Sequence, residues 1–159
     1  MTALIDLFAL DCIALNNPAK NRSDAFAAAG DLFAKHTGID AGAVVGFLNV
    51  REDLGSTALG AGVAIPHGRV KGLKHPVAAF INLQDPIDFA APDGELVSLL
   101  IFLLVPEKAT QQHLEILSSI AQLLSDPDAR KHLATESDPE KVCQILQQWG
   151  SQWWRNPYS

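Results

Sequence analysis

The chain has 159 residues, the size of one ordinary domain, and its 48% hydrophobic and 19% charged residues exclude a disordered polymer. Lys plus Arg number 12 against 18 Asp plus Glu, a net charge of −6. With no basic run anywhere, nucleic acid is not an expected partner. The longest apolar stretch, residues 96–105, is far short of the roughly 20 residues that a membrane span needs, so no membrane insertion is expected.

The apolar start of the chain lacks the basic segment of a secretion signal. Lys20 is the first cation, and Asp6 and Asp11 interrupt the run, so a cytoplasmic protein is expected. Cys12 and Cys143 form no CxxC pair and read as buried thiols rather than a disulfide. Residues 4–15 alternate loosely and predict a short strand or an irregular apolar segment. Asn17-Pro18 has the form of an N-cap followed by Pro at the first helical position. That predicts a helix to about His36, with Phe26, Ala29 and Phe33 on one face and Gly38 just past its end. Asp40 is a second N-cap, opening a helix with Val44, Phe47 and Leu48 at helical spacing and Arg51 near its end.

Residues 55–62 are too rich in Gly, Ser and Thr for a long helix. Val63-Ala64-Ile65 reads as a short strand stopped by Pro66, so that His67 stands at its end, exposed at the sheet edge. Residues 77–83 read as a strand, with a turn at Asp85-Pro86 and a hairpin partner in residues 87–89. Residues 96–105 are apolar nearly throughout, as a central strand buried on both faces must be. Beyond Pro106 the pattern is helical. Leu114, Leu117, Ile120, Ala121 and Leu124 form one stripe, Asp126-Pro127 caps a second helix, and Asp138-Pro139 caps a third that runs to about Trp149. The expected fold is α/β: a single domain, residues 1–150, with a mixed sheet sandwiched by helices on both faces. Residues 151–159, with Trp153, Trp154 and Tyr158, form a tail without periodicity.

Common catalytic motifs fail. Gly55 and Gly60 have P-loop spacing, but Ala61 stands where Lys is required, and neither GxSxG nor HExxH occurs. Ile65-Pro66-His67-Gly68 remains: a strand delivering a histidine. An imidazole is largely neutral and nucleophilic near pH 7, needing no partner to deprotonate it. Phosphoryl transfer asks for in-line positioning and for cations or N–H donors around three equatorial oxygens. Arg51, the hydroxyls of Ser56 and Thr57, and a second histidine suit that need.

Glu52, Leu59-Gly60 and Val63-Ala64-Ile65-Pro66-His67-Gly68 resemble the active-site signature of the mannitol/fructose-type enzyme IIA domains of the phosphoenolpyruvate-dependent phosphotransferase system. Ile87-Asp88-Phe89, Ala91-Pro92-Asp93-Gly94, Leu103-Leu104-Val105-Pro106 and His113-Leu114 are similar to the nitrogen-regulatory members of that branch, over about residues 3–149. The resemblance implies His67 as the phosphorylated residue, on Nε2, with Arg51 neutralising the phosphoryl group and His113 as second active-site histidine. It implies Thr57, beside Ser56, as a further phosphoryl-binding donor. The donor would be the histidine-containing phosphocarrier of the nitrogen branch, charged by enzyme I from phosphoenolpyruvate. The output would be regulatory, on nitrogen- and potassium-related targets, rather than metabolic. No cofactor and no metal are expected.

Each residue also has a plainer reading: His113 as a half-buried histidine, Arg51 as a complement to a helix C-terminus, Ser56 and Thr57 as turn residues, and Glu52 as a surface or capping group. The competing functions are an enzyme IIA that passes phosphate to a fructose- or mannitol-type permease, a metal hydrolase built on His67, His113 and a carboxylate, and a binding module with a vestigial site.

Overall fold

The structure is a computed structural model and describes residues 7–108 and 110–149. In chain order its elements are β1 (Phe8–Asn17), α1 (Arg22–Thr37), α2 (Ala41–Glu52), β2 (Ala58–Gly60), β3 (Val63–Ala64), β4 (His67–Val70), β5 (Val77–Ile87), β6 (Val97–Pro106), α3 (Thr110–Ser125), α4 (Pro127–Thr135) and α5 (Pro139–Gln148). The sheet runs β1-β5-β6-β3-β2, with β4 also paired to β6. β1 is parallel to β5, β5 antiparallel to β6, and β3 and β4 both parallel to β6, so the expected mixed sheet forms. Among the described residues no helix is long and apolar enough to cross a membrane. The tail expected over residues 151–159 lies outside the described residues.

β6 organises the two layers. Leu100, Phe102 and Leu104 pack with Phe26, Phe33, Val44 and Leu48 of α1 and α2. Leu99, Ile101, Leu103 and Val105 pack with Ile116 and Ile120 of α3, Leu133 of α4 and Leu146 of α5. Successive strand residues face opposite ways, so a nearly continuous apolar run is what a strand covered on both sides requires.

Several boundaries differ from expectation, each for a local reason. Asn17 ends β1, and its side chain accepts from the Ala19 N–H at 3.0 Å, making a turn rather than a cap. The cap of α1 is Asn21, which accepts from the Asp24 N–H at 2.8 Å, while Asp24 accepts from the Lys20 N–H at 3.0 Å. Asp40, Asp126 and Asp138 do cap their helices, and Gly38 closes α1 in the left-handed region at φ 79°. No hairpin forms at Asp85-Pro86: β5 extends to Ile87, which pairs with Val97 of β6 beyond an irregularity in the ladder after Asn82. In α3, Leu114 is exposed, and Ile116, Ile120, Leu123 and Leu124 form the buried stripe. His113, spaced three residues before Ile116, falls on that stripe and not on the Leu114 face.

Cys12 and Cys143 are buried free thiols. Burial first, and the charge of Asp11 second, push the Cys12 thiol up to about 12. Trp149 docks the end of α5 by donating from Nε1 to the Asp126 carboxylate at 3.1 Å.

Pro66 does not end the strand track. Val63 pairs with Leu99, Ala64 with Leu100, and His67 with Leu103, a constant offset along β6. Pro66 lacks an N–H but still accepts from the Leu103 N–H at 3.0 Å. His67 therefore opens a second strand beside the central one. α2 lies directly against that strand: a Cβ added at Gly68 would stand 3.0 Å from the Phe47 carbonyl oxygen and 3.1 Å from its carbon. Gly68→Ala is expected to push α2 outward and to cost about 1–3 kcal/mol of stability, measured by urea unfolding. An unchanged midpoint would show that the helix yields freely.

Candidate active site

His67 is buried, 9% exposed, rather than presented at an open edge. Pairing to central β6 and the ring of His113 from α3 enclose it. The two imidazoles meet edge to face, 5.2 Å between centroids at 86°. His67 Nδ1 lies 2.8 Å from the Ile65 carbonyl oxygen. A carbonyl only accepts, so Nδ1 carries the proton and Nε2 keeps its lone pair. The polypeptide thus selects one tautomer, the one whose nucleophilic nitrogen is Nε2.

Burial pushes the His67 pKa below the ordinary histidine value; the Ile65 bond opposes this, Arg51 and Arg69 add to it, and Glu52 opposes it. His113, 7% exposed, is driven down to about 4, chiefly by burial and then by His67, Arg69 and Arg51. Its Nδ1 is the buried polar side-chain atom without a hydrogen-bond partner among the described residues. Both rings are neutral at pH 7.

Each histidine has a folded pKa below its unfolded value near 6.5, so the unfolded chain takes up protons first and stability falls as pH drops below about 6.5. The loss from His113 is complete once the pH passes about 4. Urea unfolding of His113→Gln between pH 7.5 and 4.5 should show a shallower decline than the parent chain. Parallel declines would sink the assignment.

His67 borders two cavities. One, of about 220 Å³, is lined by Arg51, Ser56, Thr57, Leu59 and Leu117 among others. The other, of about 440 Å³, is lined by Arg51, Arg69, His113 and the apolar Phe47, Val50, Leu54 and Leu114. Arg51 lines both, near the C-terminus of α2, and donates from Nη1 to the Gly55 carbonyl at 2.8 Å. Five N–H donors on the guanidinium allow more than one such contact.

Ser56 and Thr57 line the smaller cavity with His67, but each hydroxyl proton has an internal acceptor. Ser56 Oγ donates to the Phe89 carbonyl at 2.6 Å, and Thr57 Oγ1 donates to Glu52 Oε1 at 2.7 Å. Glu52 is not the surface residue expected: it is 4% exposed, and its Oε2 also accepts from the Thr57 N–H at 2.8 Å. Arg69 was not singled out in the sequence. Its signal was available, since residues i and i+2 of a strand share a face and Arg69 stands two after His67.

A buried, tautomer-locked imidazole, a perpendicular second histidine, and two arginines, one bordering both cavities and one bordering the larger, place this molecule in a defined class. The family model described as "Phosphoenolpyruvate-dependent sugar phosphotransferase system, EIIA 2" matches residues 6–149, and the chain belongs to that family. Within it the chain is similar to a nitrogen regulatory protein of Pseudomonas aeruginosa, 46% identical over 67% of this chain and 70% of that one. The crystal structure of the nitrogen regulatory protein IIA-Ntr of Neisseria meningitidis superposes with a TM-score of 0.85 at 43% identity, covering 90% of this chain and 98% of that one. A fructose-specific EIIA component of Haloferax volcanii is 30% identical over 92% of this chain and 96% of its own length.

Proposed function

We propose that the protein is a phosphocarrier of regulatory output, accepting a phosphoryl group on Nε2 of His67 from a histidine-containing phosphocarrier protein of the nitrogen branch. That protein is itself charged by enzyme I from phosphoenolpyruvate. The observation that carries this reading is the 2.8 Å bond from Nδ1 to the Ile65 carbonyl, which leaves Nε2 as the nucleophile. As the Nε2–P bond forms, the donor's N–P bond breaks and its electron pair returns to the donor imidazole. The Nδ1 proton stays on the Ile65 bond. The His67 ring then carries positive charge opposed by the phosphoryl oxygens, and Arg51 and Arg69 offset the remainder. The N–P bond so made is readily transferred again.

His113 restricts the approach to His67 and keeps the pocket free of a competing cation at neutral pH. The exposed Val50, Leu54 and Leu114 border the larger cavity and favour a protein donor over a small phosphorylated metabolite. The added group carries about −1.5 to −2 charge, enough to decide whether a target, nitrogen- or potassium-related on the reading of the resemblance, docks on that face. A cytoplasmic location goes with this donor.

The test combines the protein with enzyme I, phosphocarrier and phosphoenolpyruvate and follows intact mass and acid lability. An acid-labile adduct of one phosphoryl group is expected, and its absence with an active relay would overturn the reading. A second reading rests on the likeness to the fructose-specific component: the phosphoryl group passes on to a cysteine of an enzyme IIB domain. Label appearing on added IIB at rates matching a transport enzyme would favour it.

A further inference from the structure

On the edge of the sheet formed by β1, away from the β4 strand that carries His67, a second cluster of side chains meets. We infer that Asp11, Cys12 and His36 form a surface site for a divalent transition-metal ion of the zinc class. One ligand atom from each of the three lies within 4.8 Å of the others. Asp11 and Cys12 come from β1, and His36 from the last turn of α1, 25 residues beyond Asp11.

Three features of the geometry carry the assignment. The first is the strand itself. Consecutive residues of a regular strand point to opposite faces, yet Asp11 and Cys12 both reach His36. The register explains how: Phe8 pairs with Ala78 but Ile13 with Phe80, so five steps along β1 match two along β5. The surplus residues bulge over 9–12, and a bulge re-aims side chains.

The second is spacing. His36 Nδ1 stands 3.1 Å from one Asp11 oxygen and 3.2 Å from the other. Metal–ligand bonds of about 2.0–2.3 Å in tetrahedral geometry put neighbouring ligand atoms roughly 3.3–3.7 Å apart. The N–O edge is therefore nearly in place, with a Cys12 ligand atom within 4.8 Å of both.

The third is ligand chemistry. Thiolate, imidazole and carboxylate together suit zinc and its neighbours and not magnesium or calcium. The ion would sit at a helix C-terminus, where the peptide dipoles favour a cation. The Cys12 side chain approaches from the buried side, while Asp11 and His36 are partly open to solvent, leaving a fourth position for water.

Binding replaces the Cys12 thiol proton, which leaves to solvent, and moves the remaining His36 ring proton to Nε2 as Nδ1 takes the metal. The ion would tie β1 to α1 without touching His67.

Cobalt(II), whose thiolate complexes absorb in the near ultraviolet, is the probe. The metal-stripped full chain should develop a sulfur-to-cobalt band saturating at one equivalent, and added zinc should bleach it. His36→Ala, a partly exposed change that leaves the core alone, should weaken cobalt binding at least about 10–100-fold. Cys12→Ala should abolish the band, and Cys143→Ala should leave it intact. No band at one equivalent, or a band unchanged in His36→Ala, would overturn the site. Phosphorylation of His67 serves as a separate control, since its failure would leave the cobalt result standing.

Discussion

His67→Ala should take up no phosphoryl group under conditions that modify the parent chain completely. The variant keeps the β4 register, because the backbone bonds to Leu103 do not involve the ring, so the loss reports chemistry and not unfolding. No other described histidine combines the same features. His36 is paired with Asp11, His75 is exposed, His132 makes the same kind of Nδ1 bond, to the Asp128 carbonyl, but in an exposed setting, and His113 is held neutral with a pKa near 4 and lacks a partner to fix its tautomer.

The same geometry grades the cations. Arg51→Gln should slow transfer about 10²–10³-fold, the range found when one preorganised donor to a developing anion is removed. Arg69→Gln, at the rim of one cavity only, should cost less. Because burial holds His67 below its ordinary pKa, acceptance should fall off at a lower pH than it would for an exposed imidazole. Rates for all three variants come from quenched-flow mass analysis with a saturating phosphorylated donor. Acceptance by His67→Ala, or a rate that falls off at or above the ordinary histidine pKa, would contradict the proposed nucleophile.

Much of this arrangement is legible in the residues. The capping aspartates, the Gly38 stop and the apolar run of β6 each have a local cause, and each element appears where that cause lies. The motif at 65–68 marks His67 because local order delivers it: strand, proline, histidine, glycine. What escaped depends on contacts distant in the chain. β5 passes through Asp85-Pro86 because β6 lies beside it and takes up Ile87, which no local turn signal reveals. Glu52 looks like any polar residue at a helix end until the Gly-Ser-Thr turn folds Thr57 back over it. The convergence of Asp11 and Cys12 on His36 needs a bulge that only the pairing with β5 defines. His113 enters through the family resemblance, and its burial beside Ile116 and Ile120 is set by the sheet face that α3 covers.

Glu52→Ala should be the most damaging change outside the nucleophile, through a relay of hydrogen bonds. Glu52 accepts from the Thr57 N–H and hydroxyl at 2.8 and 2.7 Å. The Thr57 carbonyl accepts from the Ile65 N–H at 3.1 Å, and the Ile65 carbonyl accepts from His67 Nδ1 at 2.8 Å. The carboxylate thus holds, two peptides removed, the oxygen that sets the His67 tautomer. Truncation orphans two buried donors, each worth about 1–3 kcal/mol, for a total loss of about 2–6 kcal/mol. It also frees the 53–56 turn, which carries the Gly55 carbonyl that Arg51 grips.

Glu52→Gln retains one acceptor, and the Thr57 hydroxyl can rotate to receive the new amide, so it should recover roughly half of the stability loss. Nitrogen-15 shifts of His67 separate positioning from simple destabilisation. In Glu52→Ala, at a temperature where the chain is folded, they should move toward a mixture of tautomers, and the phosphorylation rate should fall with the Nδ1–H population. Folded Glu52→Ala with a single His67 tautomer and an unaltered rate would show that the Ile65 carbonyl holds its place without the carboxylate.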